Sequence, residues 1–137
     1  KALDEKIPIL GICLGMQIMA SVGYEMGVTP GLNWFDAKVD KIKVNDKSIK
    51  IPNIGWEAVH YNQKSTLFNN LPNNPDFYFV HSYFMKCDNE NEVSSWYNLG
   101  ETKITASIQK NNIFGTQFHP EKSSDLGREL LINFLDY

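Results

Sequence analysis

The sequence predicts an α/β fold in which helices pack on a mostly parallel sheet, and three observations support this prediction. Residues 7–13 form a continuous apolar run, as in a strand buried on both faces. A tight strand-to-helix turn follows in G-I-C-L-G, residues 11–15. The C-terminal segment carries leucine and phenylalanine on one helical face, with Ser124 or Asp125 as the expected cap. Buried strands combined with such helices indicate a layered α/β domain.

In the N-terminal half, the helix after the tight turn is expected to end near Gly23 or Gly27, because glycine commonly ends helices. Residues 29–31, T-P-G, predict a turn. Residues 37–44 alternate in polarity and predict a half-exposed strand. Residues 45–47, N-D-K, are typical of a hairpin turn.

In the C-terminal half, residues 62–76 are rich in asparagine and predict a loop region. Residues 77–84, F-Y-F-V-H-S-Y-F, predict a single strand rich in aromatic side chains. Two further strands are expected over 102–109 and 113–118, and Asn111-Asn112 between them is typical of a hairpin.

Composition restricts the function classes. The 137 residues carry a net charge of -3, which gives no basic surface typical of nucleic-acid binding. No apolar run is long enough to span a membrane. Two cysteines without a disulfide pattern favour a reducing, cytoplasmic location. We expect residues 1–137 to form a single domain. The buried strand so close to Lys1 also predicts further strands N-terminal to it, so the domain is expected to be an N-terminally truncated one.

Cys13 is a candidate nucleophile because Gly11, Cys13 and Gly15 match the G-x-nucleophile-x-G pattern of a strand-to-helix elbow. The start of a helix favours a thiolate, and the backbone N–H of Leu14 is positioned to stabilise an oxyanion. The alternative interpretation is a cysteine that only packs at the end of a strand.

A thiol nucleophile needs a general base, and three histidines are available. His119 lies in F-H-P-E, where the following proline keeps it extended, so the side chains of His119 and Glu121 point to the same side. Glu121 can then orient the imidazole, which completes a Cys-His-Glu triad. The alternative is a turn with a solvated glutamate. His60 is expected to be a surface residue, and His81 a packed strand residue whose neighbours line a site.

Neither a metal site nor a bound cofactor is expected. The sequence has no C-x-x-C, H-E-x-x-H, G-x-G-x-x-G or P-loop motif.

G-I-C-L-G-M-Q followed by G-T-Q-F-H-P-E-K-S resembles the class I glutamine amidotransferases. I-G-W at 54–56 and Y-F-V-H-S-Y at 78–83 are most similar to the glutaminase subunits of imidazole glycerol phosphate synthase. The resemblance covers the C-terminal two thirds of that family. It implies a three-layer fold whose first strands, with a second oxyanion donor, have no counterpart here.

The resemblance also implies roles for individual residues. It implies a catalytic triad of Cys13, His119 and Glu121. It implies a glutamine site formed by Leu14, Gln17, Glu25, His81, Ser82 and Tyr83. It implies that Trp56, Tyr78 and Lys122 face a (β/α)8-barrel synthase partner, to which the glutaminase would supply ammonia for histidine biosynthesis.

Glu57 departs from the pattern, because the histidine-pathway subunits usually have asparagine after G-W. A related subunit serving a surface-sugar pathway is therefore a second possibility. A cysteine hydrolase on the same elbow fold is a third possibility, and a non-catalytic interaction module is a fourth.

Overall fold

The computed structural model describes residues 3–137 and consists mainly of short strands with two helices. The helices are α1 (Leu14–Gln17) and α2 (Ser124–Leu135). The strands are β1 (Ile9–Ile12), β2 (Val22–Gly23), β3 (Thr29–Pro30), β4 (Ala37–Lys41), β5 (Asn53–Ala58), β6 (His60–Tyr61), β7 (Asp76–His81), β8 (Tyr83–Cys87), β9 (Val93–Leu99), β10 (Thr102–Lys110) and β11 (Ile113–Thr116).

The largest sheet has the strand order β1-β11-β10-β9-β6, and a second sheet has the order β3-β2-β4-β8. Strands β5 and β7 pair as a separate two-stranded ribbon. The prediction of a mostly parallel sheet was wrong for the strands described here. Only the β1–β11 and β2–β4 pairs among them are parallel, so the sheets are mixed.

Two apolar clusters hold the sheets together. The larger contains aromatic side chains from β7, β11 and the segment after β11, with the Phe77 and Phe118 rings stacked 4.1 Å apart. Leu130 of α2 is fully buried in the same cluster. The smaller cluster lies under the nucleophile turn and includes Met16, Phe35 and Met85. Burial of this apolar surface is the main favourable contribution to folding, and it fixes the turn against both sheets.

The helix after the turn is much shorter than predicted, since α1 ends at Gln17. The prediction failed because the following residues bond to a distant segment instead of continuing the helix. The amides of Leu32 and Asn33 donate to the carbonyls of Ile18 and Ala20. The chain then forms β2 and β3 where the sequence predicts helix and turn.

The aromatic run 77–84 is two strands and not one. It breaks at Ser82, where the chain passes from β7, paired with β5, to β8, paired with β4. Alternating apolar residues cannot reveal such a break, because both strands share the same pattern. The break is important for function because it lies at the cavity described below.

The remaining expectations had mixed outcomes. The β10–β11 hairpin at Asn111-Asn112 is confirmed, and Asn111 adopts a φ of 53°. Residues 45–47 are not a hairpin turn, since β4 pairs with β2 and β8 and not with the next strand. The predicted loop over residues 62–76 is confirmed, apart from one short 3-10 turn at Thr66–Phe68. Strands β5, β6 and β9 correspond to no predicted strand. Helix α2 is confirmed, although Ser123 occupies its cap position.

Candidate active site

Cys13 occupies a strained turn between β1 and α1. Its backbone has φ 53° and ψ -107°, a conformation that residues with side chains rarely adopt. The turn is fixed by a 2.7 Å hydrogen bond from the Cys13 amide to the Thr116 carbonyl of β11. A Cβ atom on Gly11 would lie 2.5 Å from the Gly15 carbonyl oxygen, so the turn requires glycine at this position. This is the geometry of a nucleophile elbow.

A cavity of about 220 Å³ opens beside the Cys13 side chain. It is lined by Val80 and by all the residues for which the sequence implied glutamine binding, namely Leu14, Gln17, Glu25, His81, Ser82 and Tyr83. The break between β7 and β8 supplies one wall, and the turn supplies the other. A larger and mainly apolar cavity of about 410 Å³ adjoins it through the shared residues Leu14, Gln17 and Glu25.

The Cys13 thiol is half-buried, and its pKa is raised above its ordinary value. Burial is the main cause, because it disfavours the charged thiolate. The Glu121 carboxylate raises the pKa further, whereas the Leu14 N–H, the Gln117 amide and the Lys122 ammonium lower it. The sequence predicts that the helix start favours the thiolate. Helix α1 is a single turn, and the net shift of the Cys13 pKa is upward, which favours the protonated thiol.

His119 and Glu121 form the expected pair, with the Nδ1–H of His119 donating to the Glu121 carboxylate over 2.6 Å. This bond leaves Nε2 for proton transfer. His119 follows β11 and Cys13 follows β1, and these adjacent strands are parallel, so both residues lie at the same edge of the sheet. In the described residues the thiol accepts a hydrogen bond from Gln117 Nε2 at 3.7 Å and makes none with His119. The assignment of the triad therefore stays a prediction.

The remaining two histidines lie where the sequence placed them. His60 is exposed and 6.0 Å from the Trp96 ring. His81 is buried, and burial lowers its pKa while the Tyr83 carbonyl raises it. Cys87 is disfavoured as a nucleophile, because burial and the nearby Glu92, Glu90 and Asp88 raise its pKa to about 12.

The residues implied to face a partner lie together near the His119 turn. Trp56 of β5 is 51% exposed and contacts the Tyr78 ring edge to face at 5.9 Å. The Tyr78 carbonyl accepts from the His119 amide, and Lys122 is exposed on the 3-10 turn Pro120–Lys122. Exposed tryptophan and tyrosine side chains are enriched at binding faces, and the role of these three residues stays a prediction.

Gln117 is a site residue that the sequence patterns did not identify, and its fully buried side chain contacts the thiol. Its oxygen accepts a 3.0 Å hydrogen bond from Gln17 Nε2. A signal was available, because Gln117 lies in the same motif as His119, G-T-Q-F-H-P-E, just after the end of β11.

Residues 3–137 contain no cluster of three or more histidine, cysteine or acidic side chains that could hold a metal. Neither helix in this range is long and apolar enough to cross a membrane.

Comparison with known proteins gives relatives of similar sequence. Imidazole glycerol phosphate synthase subunit HisH 1 of Campylobacter jejuni strain RM1221 is 47% identical over 135 residues, which are 98% of this chain and 66% of the relative. Imidazole glycerol phosphate synthase subunit HisH of Leptospira borgpetersenii is 45% identical over 134 residues, or 96% of this chain and 65% of the relative. The chain thus spans slightly less than two thirds of the length of these relatives.

Two solved structures share the fold. A Thermoplasma acidophilum protein assigned as a GMP synthase subunit superposes with a TM-score of 0.70 at 24% identity, over 98% of this chain and 59% of that one. A Thermotoga maritima glutamine amidotransferase superposes with a TM-score of 0.60 at 20% identity, over 98% of this chain and 50% of that one. The family model for glutamine amidotransferase class-I matches residues 1–136. The chain belongs to the class-I glutamine amidotransferase family.

Proposed function

We propose that this chain hydrolyses L-glutamine to glutamate and ammonia and passes the ammonia to a synthase subunit. The observation that carries the proposal is the position of Cys13, held at φ 53° in an elbow beside a cavity large enough for an amino acid. The His119–Glu121 pair lies at the same edge of the sheet and can supply the base that a protonated thiol requires.

In the proposed first half-reaction, His119 removes the thiol proton and the sulfur attacks the side-chain amide carbon of glutamine. The Leu14 N–H donates to the resulting oxyanion. His119 then returns the proton to the departing nitrogen, and the C–N bond breaks. The products are ammonia and a glutamyl thioester on Cys13.

In the second half-reaction, His119 deprotonates a water molecule that attacks the thioester carbon. The C–S bond breaks, the sulfur regains a proton, and glutamate leaves. Glu121 keeps the imidazole in the tautomer with hydrogen on Nδ1 throughout, and stabilises the imidazolium when it forms. Gln17, Glu25, Ser82 and Tyr83 line the cavity and supply polar groups for the substrate amino acid.

Ammonia released into water at neutral pH becomes mostly ammonium, which is a poor nucleophile, so a partner must receive it directly. We propose that the partner is the (β/α)8-barrel synthase that makes imidazole glycerol phosphate in histidine biosynthesis, and that the reaction takes place in the cytoplasm. The similarity to HisH subunits supports this choice. The docking face would include Trp56, Tyr78 and Lys122.

Glu57 favours a second candidate partner. Its carboxylate accepts from the Asn53 amide over 3.1 Å and lies on β5 next to Trp56, so the proposed docking face differs from the histidine-pathway pattern at this point. A synthase from a surface-sugar pathway is the alternative acceptor. Stimulation of glutamate release by one barrel synthase and not by the other decides between them.

The test is glutamate release, measured with the synthase subunit present. Cys13→Ser should abolish release while synthesis from ammonium salts continues. His119→Asn should lower the rate by about 10²–10⁴, because general base and acid are lost together. His60→Asn is the matched control and should change little. Equal losses in the two histidine variants, or loss of the ammonium-dependent reaction in Cys13→Ser, would contradict the proposal.

A further inference from the structure

A continuous set of hydrogen-bonded side chains connects the cavity wall with strand β5. His81 Nδ1 is 2.8 Å from the Tyr83 carbonyl oxygen, and His81 Nε2 is 2.8 Å from the Tyr97 hydroxyl. The Tyr97 oxygen is 2.9 Å from Asn53 Nδ2, which is also 3.1 Å from the Glu57 carboxylate. We call these four side chains, His81, Tyr97, Asn53 and Glu57, the buried relay.

The hydrogens of the buried relay can be assigned from the chemistry of its ends. The Tyr83 carbonyl only accepts, so His81 Nδ1 carries the hydrogen. The neutral ring then has an acceptor at Nε2, and Tyr97 O–H donates to it. The Tyr97 oxygen in turn accepts one amide hydrogen of Asn53, and the Glu57 carboxylate accepts the other. Every donor has one acceptor, which makes the arrangement unique.

The buried relay is enclosed by apolar side chains at its cavity end. His81 is 6% exposed and Tyr97 is 1% exposed. The ring of Phe79 lies 5.6 Å from the His81 ring and 4.6 Å from the Tyr97 ring. Water cannot easily replace the Tyr97 hydroxyl here, so its removal leaves His81 Nε2 without a partner.

At the cavity end, the buried relay is hydrogen-bonded to the Tyr83 carbonyl through His81. This oxygen accepts a second hydrogen bond, of 3.1 Å, from Gln17 Nε2. Gln17 also holds Gln117, whose amide donates to the Cys13 sulfur. A displacement of the Tyr83 carbonyl therefore changes the side chain of Gln17, which lines the cavity beside the nucleophile.

We propose that Tyr97 is a positioning residue for the candidate active site. Its hydroxyl, held by Asn53 against Glu57, fixes the tautomer and orientation of His81. His81 in turn fixes the Tyr83 carbonyl and, through it, Gln17. The expected effect of Tyr97 on glutamine hydrolysis rests on the proposed glutaminase function. Its expected effect on the His81 tautomer and the Gln17 side chain does not.

The structural consequence is tested on the full chain by ¹⁵N NMR of the imidazole rings. The chain has three histidines, so His60→Asn and His119→Asn assign the His81 signals by elimination. We expect the Nδ1–H tautomer for His81, the less common form in solution. Hydrogen on Nε2 would overturn the proposal, and this measurement needs no Tyr97 variant to fold.

The positioning role is tested by Tyr97→Phe with Tyr61→Phe as the matched control. Tyr61 also donates a partly buried hydroxyl hydrogen bond, to the Leu71 carbonyl over 2.9 Å. It does not line the cavity. The Gln17 side-chain amide signals should shift in Tyr97→Phe and stay unchanged in Tyr61→Phe. Unchanged or equally shifted signals would contradict a positioning role.

In the glutaminase assay, Tyr97→Phe should raise the KM for glutamine about tenfold, the effect of one lost buried hydrogen bond, with kcat changed less than about twofold. Tyr61→Phe should leave KM unchanged. An unchanged KM in Tyr97→Phe, or a loss confined to kcat, would overturn the proposal. Absence of glutaminase activity in the unmodified chain would contradict the proposed function alone, because the NMR results would still decide the role of Tyr97.

Discussion

At the scale of single residues, the site combines a strained backbone with a thiol whose pKa is raised. Burial raises the pKa of Cys13, and the Glu121 carboxylate raises it further. The same carboxylate orients His119 through a 2.6 Å hydrogen bond. Glu121 is therefore expected to disfavour the free thiolate and yet to favour catalysis, two effects that can be separated by experiment.

The first prediction concerns the pH dependence of thiol alkylation by iodoacetamide. Because burial raises the pKa of Cys13 above the ordinary value of a cysteine thiol, the thiolate fraction should still be rising at pH 9. Glu121→Gln should lower the pKa and so speed alkylation at pH 8, while glutamate release becomes slower. Lys122→Met should slow alkylation, because the lysine lowers the pKa. An alkylation rate that levels off below pH 8 in the unmodified chain would show that the resting thiol is already ionised.

At the scale of elements, only one of the two glycines in the nucleophile turn is required for steric reasons. A Cβ on Gly11 would collide with the backbone of Gly15, whereas a Cβ on Gly15 would meet nothing within 4 Å. Gly15 also lies within α1 at a position where no positive φ is required. The symmetric G-x-C-x-G motif therefore has two different physical roles.

This difference gives the second prediction. Gly11→Ala should destabilise the chain by about 1–3 kcal/mol, because backbone must move to relieve the overlap. Gly15→Ala should be neutral or slightly stabilising, since alanine is the better helix former. Urea midpoints measured on both variants test this. Equal losses of stability would mean that the turn is not as tightly packed as the structure indicates.

The elements that sequence patterns predicted well are those whose signals are local. The apolar run of β1, the asparagine turn between β10 and β11, and the stripe on α2 each fix their own conformation. The early end of α1 and the break at Ser82 depend on pairing with distant strands, and propensity does not report that. The same reason explains why Tyr97 gave no signal, because its partners His81 and Asn53 are remote in sequence.

At the scale of the whole molecule, the position of β1 determines how the site is held. It pairs with β11 on one side, and within residues 3–137 no strand pairs with its opposite side. The Ile9 amide donates to the carbonyl of Asn112, just before β11, and the Cys13 amide donates to the Thr116 carbonyl of β11. Because backbone amides alternate in direction along a strand, the amides of Leu10 and Ile12 point to the opposite edge. This edge adjoins the nucleophile turn.

The third prediction follows from that alternation. In hydrogen exchange, the amides of Gly11 and Cys13 should be protected, whereas those of Leu10 and Ile12 should exchange much faster. The comparison is internal to one strand, so global stability does not affect it. Strong protection of Leu10 and Ile12 would show that another segment or a second copy covers this edge in solution.

The central claim is that Cys13 is a nucleophile directed at glutamine, and covalent labelling tests it most directly. The chain, with its synthase partner present, is treated with an electrophilic glutamine analogue, and the adduct is located by peptide mass spectrometry. We expect one adduct on Cys13, none on Cys87, and slower labelling when excess glutamine is added. Labelling of both cysteines at similar rates, or labelling that glutamine does not slow, would contradict the account.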